Sequence, residues 1–204
     1  QGPRHRGPRR GQGNGCAMTA AYVDREVAEE VWGSDPRAVL AWGPQIHSEA
    51  RVDGRGLRLS GRWTFASGGK HATWLGGHAP IIEANGTPRL KPDGTPFIQT
   101  LMFPAARAKW LDVWNVIGLR ATGSDHFEVH DLLVPSRYAV TREDPAERRY
   151  QSTLYLFPAM SLFAAGFSGT ALGIARAMLT AFHDLILEKT PRLQRSRLAD
   201  QEVV

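Results

Sequence analysis

The stretch that most constrains the fold runs from Leu57 to Trp74 and reads LRLSGRWTFASGGKHATW. Alternation in its first half places Trp63, Phe65 and Ser67 on one side of a strand. A period of two residues is typical of a half-buried β-strand with one face in the core. We therefore expect an inward-facing aromatic row that ends in the Ser67 hydroxyl, followed by a Gly-Gly pair where a backbone or ligand can approach closely. An ordinary core strand that ends in a Gly-Gly turn fits the same pattern.

The positive charge of the chain is concentrated at its start. Four arginines lie within the first ten residues: Arg4, Arg6, Arg9 and Arg10. Without them the formal charge of +5 falls to about +1, so the rest of the chain gives no indication of a polyanionic partner. Residues 1–16 are predicted to be a disordered basic Gly/Pro/Arg tail, and an RNA-binding arm is the alternative interpretation. The single cysteine, Cys16, cannot form an internal disulfide, which favours a cytoplasmic location.

The middle of the chain, residues 35–141, consists of short apolar runs separated by turn sequences such as Asn85-Gly86 and Asp93-Gly94. Closely spaced strands without intervening helices predict an antiparallel β-sandwich or barrel, flanked by helices in an α+β chain. No GxGxxG motif is present, which argues against a classical dinucleotide-binding fold.

Helical patterns flank this middle region. Residues 17–34 contain an amphipathic pattern that predicts one helix over 19–32, with Val23, Val27 and Val31 on its apolar stripe. A charged linker, residues 142–152, precedes a long apolar helix in 153–204. A membrane span is the alternative for that helix. Its proline, its many small residues and the charged residues of its second half favour a soluble helix and no membrane.

Two side-chain sets invite chemical hypotheses. His126, Glu128 and His130 share one strand face and could bind a metal ion, although the exposed face of an edge strand explains them as well. His71 follows Ser67 by four residues, as a base and a nucleophile would, but no orienting acid or GxSxG motif accompanies them. The residues alone therefore indicate a β-domain and predict neither a metal site nor a reaction.

Two segments together resemble the acyl-CoA dehydrogenase superfamily of flavoproteins. They are GRWTFASGGKHATW at 61–74 and WNVIGLRATGSDHFEVHDLLVP at 114–135. The resemblance covers residues 17–204 and implies a truncated α-β-α fold. In it, 17–34 end an N-terminal helical domain, and 153–204 hold the first helix of a C-terminal bundle. The chain is accordingly expected to be a fragment.

The resemblance implies a flavin site on the middle domain. Phe65 takes the position against the flavin ring, and Ser67 takes the hydroxyl position beside the reactive nitrogen of the ring. Trp63 and Gly68 complete the cofactor-binding set, with FMN or FAD as the cofactor. The candidates for the substrate pocket are His71 and Trp74. The pattern is most similar to the two-component, reduced-flavin monooxygenases, and the family's catalytic base has no counterpart in this chain.

The function implied by this resemblance is a flavin-dependent monooxygenase that hydroxylates a small aromatic or polyketide-like molecule. An FAD-dependent acyl-CoA dehydrogenase is the enzymatic alternative, and a non-enzymatic fragment with a basic RNA-binding arm is the second. The expected partners are a small-molecule substrate and a flavin reductase or electron-transfer flavoprotein. Members of the family form tetramers through the helical bundle, so a homo-oligomer is expected, with no nucleic acid and no membrane.

Overall fold

The computed structural model describes residues 16–33, 35, 37–142 and 144–201. The predicted basic tail lies outside these residues except for Cys16. The chain divides into two compact units, Gln1–Phe157 and Pro158–Val204. The first unit contains a β-sheet with short helical segments before it, and the second contains one long helix. The chain is therefore mixed α and β.

Eight strands form the sheet: β1 Leu40–Trp42, β2 Gln45–Asp53, β3 Gly56–Trp63, β4 Trp74–Ile82, β5 Ile98–Pro104, β6 Lys109–Leu111, β7 His126–Val134 and β8 Ala139–Val140. Their spatial order is β6-β7-β3-β2-β4-β5-β8, and β1 pairs with β4. The sheet is open, with β6 and β8 at the ends of this order, so the expectation of a closed barrel is wrong.

The expectation of purely antiparallel pairing is also wrong. Strand β4 runs parallel to β1 through Leu40–Trp42 and parallel to β2 at Ala50 and Arg51. Parallel neighbours need a crossover connection, commonly a helix. Here β3 and the turn after it make the crossover between β2 and β4. Because this crossover contains no long helix, the sequence shows no helical pattern that would predict parallel strands.

The core lies where side chains from the two ends of the sheet meet. Trp63 on β3 is fully buried and stacks on Phe127 of β7, with ring centroids 5.1 Å apart and planes 17° apart. Phe103, on the distant strand β5, meets the edge of Phe127 at 6.3 Å. The Trp63 indole nitrogen donates to the His78 carbonyl at 3.0 Å, which satisfies its only polar atom. Strands that are not neighbours in the sheet thus share one apolar core.

The helix expected over 19–32 is interrupted. Residues 16–20 are helical, residues 21–23 turn, and Arg25–Ala28 continues as an α-helix into a π-helical turn, Glu29–Gly33. The Ala21 carbonyl accepts the backbone N–H groups of Arg149 and Tyr150, at 2.9 and 3.2 Å, instead of a helical N–H. A segment distant in sequence therefore takes the hydrogen bond that would have continued the helix. The predicted apolar stripe is confirmed, because Val23, Val27 and Val31 are all buried.

The second unit contains the helix Ala159–Glu188, where the sequence predicts one. By length and composition its segment Met160–Glu188 could cross a membrane. Most of its side chains are exposed, and a methyl group built on Gly169 or Gly173 would meet no atom within 4 Å.

Candidate functional site

The polypeptide leaves the regular sheet directly after Trp63. Phe65 adopts a left-handed backbone conformation with φ of 49°, its side chain is 57% exposed, and the next residue, Ala66, is buried. Two backbone hydrogen bonds hold this change of direction, from Thr64 N to the Pro44 carbonyl and from Ala66 N to the Asp125 carbonyl. The prediction that Phe65 faces inward together with Trp63 is therefore wrong, since the alternation ends with β3.

A tight turn follows and carries Ser67. Gly68 has a φ of 70°, which a residue without a side chain adopts without strain, and its N–H donates to the Thr122 carbonyl at 2.7 Å. Gly69 is buried, and a methyl group built there would lie 2.5 Å from the Trp110 ring. These contacts join the turn, residues 64–71, to the loop of residues 112–125. We call the two segments the loop pair.

The buried side chain of Asp125 connects the two segments of the loop pair. Its side chain is almost entirely buried, and one carboxylate oxygen accepts the N–H groups of Val113 and Trp114, both at 2.9 Å. The Lys70 ammonium lies 2.7 Å from the other oxygen. Burial raises the pKa of the Asp125 carboxyl, but Lys70 and the two N–H groups lower it by more, so its pKa lies below the ordinary value. The charged form therefore holds both segments together.

Three hydroxyl groups lie side by side within the loop pair. The Ser67 and Ser124 oxygens are 2.7 Å apart, and the Ser124 oxygen is 2.7 Å from that of Thr122. The Thr122 hydroxyl donates to the Leu119 carbonyl at 2.8 Å. Ser67 is half-buried, Ser124 is buried and Thr122 is again half-buried, so the chain of hydroxyls passes below the surface only at Ser124.

An aromatic surface adjoins Ser67. The exposed Phe65 ring meets Trp114 edge-on, with centroids 5.9 Å apart and planes 87° apart, and His126 at 6.3 Å and 65°. The neighbouring loop exposes further apolar side chains: Val113, Ile117 and Leu119. A ring that stays more than half exposed beside two other rings can offer aromatic surface to a flat ligand.

The structure brings together some of the residues predicted for the site and separates others. Phe65, Ser67 and Gly68 lie on the loop pair, whereas Trp63 lies in the core rather than on this surface. His71 ends the turn and is exposed. Trp74 begins β4, half-buried, and packs on the Tyr138 ring at 5.4 Å.

Sequence reasoning missed the supporting residues Thr122, Ser124 and Asp125. They lie in GLRATGSD, which is recognisable as part of a family motif but lacks the lysine of a phosphate loop. The available signal was a threonine before Gly123 and a serine and an aspartate directly after it. It does not reveal which distant turn those side chains support.

The strand face of His126, Glu128 and His130 is organised by ion pairs. The Glu128 carboxylate accepts from Lys109 Nζ at 3.0 Å and from Arg62 at 2.9 Å, and both cations lower its pKa. In the part of the chain that the structure describes, no three His, Cys, Asp or Glu side chains are grouped to hold a metal ion.

Several known proteins resemble the chain. A pigment production hydroxylase of Rhodococcus erythropolis is 33% identical over 172 residues, which cover 80% of this chain and 42% of the hydroxylase. The oxygenase component of an FADH(2)-dependent resorcinol hydroxylase from Rhizobium sp. (strain MTP-10005) is 32% identical over 173 residues, or 80% of this chain and 40% of that protein. No protein-family model matches the chain.

Among solved structures, XiaF from Streptomyces sp. in complex with FADH2 and glycerol has a TM-score of 0.79 to this chain. It is 23% identical, and the match covers 94% of this chain and 48% of XiaF. That likeness establishes a shared fold. The chain spans about two fifths of the length of the two curated relatives. Similarity to flavin-dependent monooxygenases, expected from the two motifs, is thereby confirmed.

Proposed function

We propose that this chain supplies the β-domain side of the flavin site in a monooxygenase that hydroxylates a small aromatic or polyketide-like molecule. The observation that carries the proposal is one tight turn that bears both the exposed Phe65 ring and the half-buried Ser67 hydroxyl, with the Ser67 N–H donating to the Phe65 carbonyl at 2.7 Å. Similarity to two hydroxylases, one of them FADH(2)-dependent, supports a reduced-flavin reaction. Their names favour the monooxygenase over the acyl-CoA dehydrogenase alternative.

The residues of the loop pair fit a flavin in chemical character. A flavin is a flat aromatic ring system with polar edges, so it needs an aromatic face and nearby hydrogen-bonding groups. Phe65 provides aromatic surface, because its side chain remains 57% exposed beside Trp114 and His126. Ser67 provides a hydroxyl, and the absence of a side chain at Gly68 permits close approach.

When bound, reduced flavin supplies the activation of dioxygen and the transfer of one oxygen atom to the substrate. The contribution of this chain is to bind and orient the ring. Phe65 would hold the ring by apolar contact, and the Ser67 hydroxyl would form a hydrogen bond with one of its polar atoms. Asp125 and Lys70 keep the loop pair in place beneath both side chains. His71, which is exposed, and Trp74 are the substrate-pocket candidates.

The partners and assembly follow from the same proposal. FAD is favoured over FMN, because one relative is FADH(2)-dependent and XiaF was solved with FADH2. The resorcinol hydroxylase is an oxygenase component, which supports a separate flavin reductase as the electron donor. A cytoplasmic homotetramer remains our expectation, with the exposed small-residue face of Ala159–Glu188 available for helix packing.

Anaerobic titration of the purified chain with reduced FAD, followed by flavin fluorescence, tests the proposal. Phe65→Ala should weaken binding about fivefold, since stacking on an aromatic ring contributes about 1 kcal/mol. Phe157→Ala is the matched control, because Phe157 is also 57% exposed and lies away from the loop pair in sequence. Equal losses in the two variants, or no binding by the unsubstituted chain, would contradict the assignment.

Ser67→Ala provides the second test. Loss of this half-buried hydroxyl should change the unfolding free energy by less than about 1 kcal/mol. In the complete protein it should alter the reactivity of the bound flavin by a larger factor. Unchanged turnover and unchanged flavin reactivity would remove Ser67 from the site.

A further inference from the structure

A second concave surface lies on the first unit, beside the later half of β4. It is a cleft of about 840 Å³ between the segment of residues 83–97, which joins β4 to β5, and the segment after β8, where Thr141 and Asp144 line it. We call residues 83–97 the double turn. None of the described residues that line the cleft belongs to the loop pair. Ligand pockets commonly enclose about 300 to 1,000 Å³, so the cleft has the size of a small-molecule site.

Backbone hydrogen bonds tie the double turn to the sheet. The Ile81 N–H donates to the Phe97 carbonyl at 3.0 Å, and the Phe97 N–H donates to the Arg89 carbonyl at 2.8 Å. The Arg89 N–H in turn donates to the Ile81 carbonyl at 2.8 Å. These three bonds link the middle and the end of the double turn directly to β4. The side chains that the double turn contributes to the cleft are therefore carried on a fixed backbone.

Two cationic side chains line the cleft and retain unused donors. The Arg89 Nε atom donates to the Glu83 carboxylate at 2.6 Å. In the part of the chain that the structure describes, the two terminal nitrogens of Arg89 and the Lys91 ammonium make no hydrogen bond. The acidic side chain among the described lining residues, Asp144, already accepts the Ala146 N–H at 2.9 Å. Since a guanidinium offers parallel N–H groups to two oxygens, these donors suit a carboxylate or a phosphate.

Apolar side chains form other parts of the cleft wall. Leu90 is 55% exposed and Ile98 is 38% exposed, although both are large and apolar. The half-buried Phe97 ring also lines the cleft, and the Arg89 guanidinium lies over it at 5.7 Å. Cationic and apolar surface thus adjoin within one cleft. A ligand that gains from both must carry a negative group on an apolar body.

We propose that this cleft is a second ligand site, for an amphipathic organic anion. Arg89 and Lys91 hold its carboxylate or phosphate group, and an apolar ring system covers Leu90 and Ile98. Neither a simple inorganic anion nor a neutral apolar molecule satisfies both parts of the site. The cleft shares no residue with the loop pair, so this proposal does not depend on the flavin site.

Equilibrium dialysis of the purified chain against naphthoate, naphthyl phosphate and the neutral naphthalenemethanol tests the proposal. At least one of the two anions should bind about tenfold more tightly than the alcohol, because hydrogen bonds between charged groups are the stronger kind. The tighter of the two anions identifies the preferred acid group. Lys91→Gln should weaken binding of that anion about three- to tenfold and leave the alcohol unaffected. Leu90→Ala should weaken the binding of both.

The matched control is Lys189→Gln. Lys189 is also exposed, lies on the second unit, and its ammonium makes no hydrogen bond within the described residues. Because Lys91 is exposed as well, neither substitution is expected to unfold the chain. Equal losses in Lys91→Gln and Lys189→Gln, or no saturable binding of either anion, would overturn the proposal.

Two further measurements separate this site from simpler explanations. Inorganic phosphate should displace the bound naphthyl anion only at concentrations far above those of the anion itself. Displacement at similar concentrations would show an adventitious anion patch and would overturn the amphipathic site. Binding that is lost in Phe65→Ala but unchanged in Lys91→Gln would place the probe on the flavin surface and would likewise overturn it.

Discussion

Strands β3 and β7 and the loop pair, whose two segments follow β3 and precede β7, are adjacent in the chain but are stabilised in different ways. In the strands, Trp63 and Phe127 stack with no exposed surface, and an antiparallel ladder with one register shift, between Leu59 and Gly61, pairs the backbones. In the loop pair the stabilising groups are polar: a buried carboxylate, a lysine and three hydroxyls. Because these polar groups fix the backbone of the loop pair, the aromatic side chain of Phe65 is not needed for packing and remains at the surface.

The proposed flavin surface begins at Phe65, two residues beyond the core residue Trp63. An aromatic side chain in the core is in contact with other side chains on all sides. Trp63 is fully buried and therefore has no accessible surface for a ligand. An exposed aromatic residue needs other groups to fix its position, and the carboxylate of Asp125 does so through backbone N–H groups and Lys70. Rigid support beneath an exposed face is the arrangement that a preformed ligand site requires.

The largest effect is expected from Trp63→Ala. Removal of this fully buried side chain should lower the unfolding free energy by about 3 to 5 kcal/mol, through lost burial and the cavity left beside Phe127. The matched variant Phe65→Ala should cost less than about 1 kcal/mol, since that ring is largely exposed. Urea denaturation of both variants measures the difference. Similar losses of unfolding free energy in the two variants would show that Phe65 belongs to the core, and would contradict the difference between the strands and the loop pair.

The next largest effect on stability is expected from a substitution of Asp125. Asp125→Asn should cost about 2 to 4 kcal/mol at neutral pH, because a charged acceptor of two backbone N–H groups and the Lys70 partner are lost. The pKa of Asp125 is lower in the folded state than in the unfolded state. Its stabilisation is therefore complete above the ordinary aspartate range near pH 4 and declines as the pH falls through the lower folded value.

Denaturation of the unsubstituted chain and of Asp125→Asn, from about two pH units below the ordinary aspartate pKa to about three units above it, measures this contribution. The two curves should converge toward acid pH. Asp112→Asn is the matched control, because Asp112 also faces Lys70, at 3.4 Å, but its side chain is 93% exposed. A constant gap between the Asp125→Asn and unsubstituted curves at every pH would show that the carboxylate charge is not what holds the loop pair.

A smaller effect is expected where the turn meets β6. In Gly69→Ala the new methyl group would lie 2.5 Å from the Trp110 ring, and relieving this overlap should cost about 1 to 3 kcal/mol. The same substitution at Gly118, where a methyl group meets nothing within 4 Å, should be close to neutral. Thermal unfolding of the pair measures the difference. Equal melting temperatures would indicate that the turn adjusts freely and is not a rigid support.

The sequence alone predicted much of the scaffold. The alternation before Trp63, the turn dipeptides and the valine spacing before Gly33 placed most strands, the core aromatic residue and the buried helical stripe. These features depend on local periodicity, which can be read from residues close together in the sequence. The two family motifs also indicated the resemblance that similarity to known hydroxylases confirms.

Only the tertiary structure decided where the strand pattern stops and what supports the site. Phe65 turns outward because Pro44 and Asp125 accept backbone N–H groups beside it, and both lie far from it in sequence. The helix after residue 20 breaks, and β2 pairs parallel with β4, for the same kind of reason. A periodic pattern determines which face of a segment is apolar, whereas hydrogen bonds between distant segments determine where that segment ends and which side chains remain at the surface.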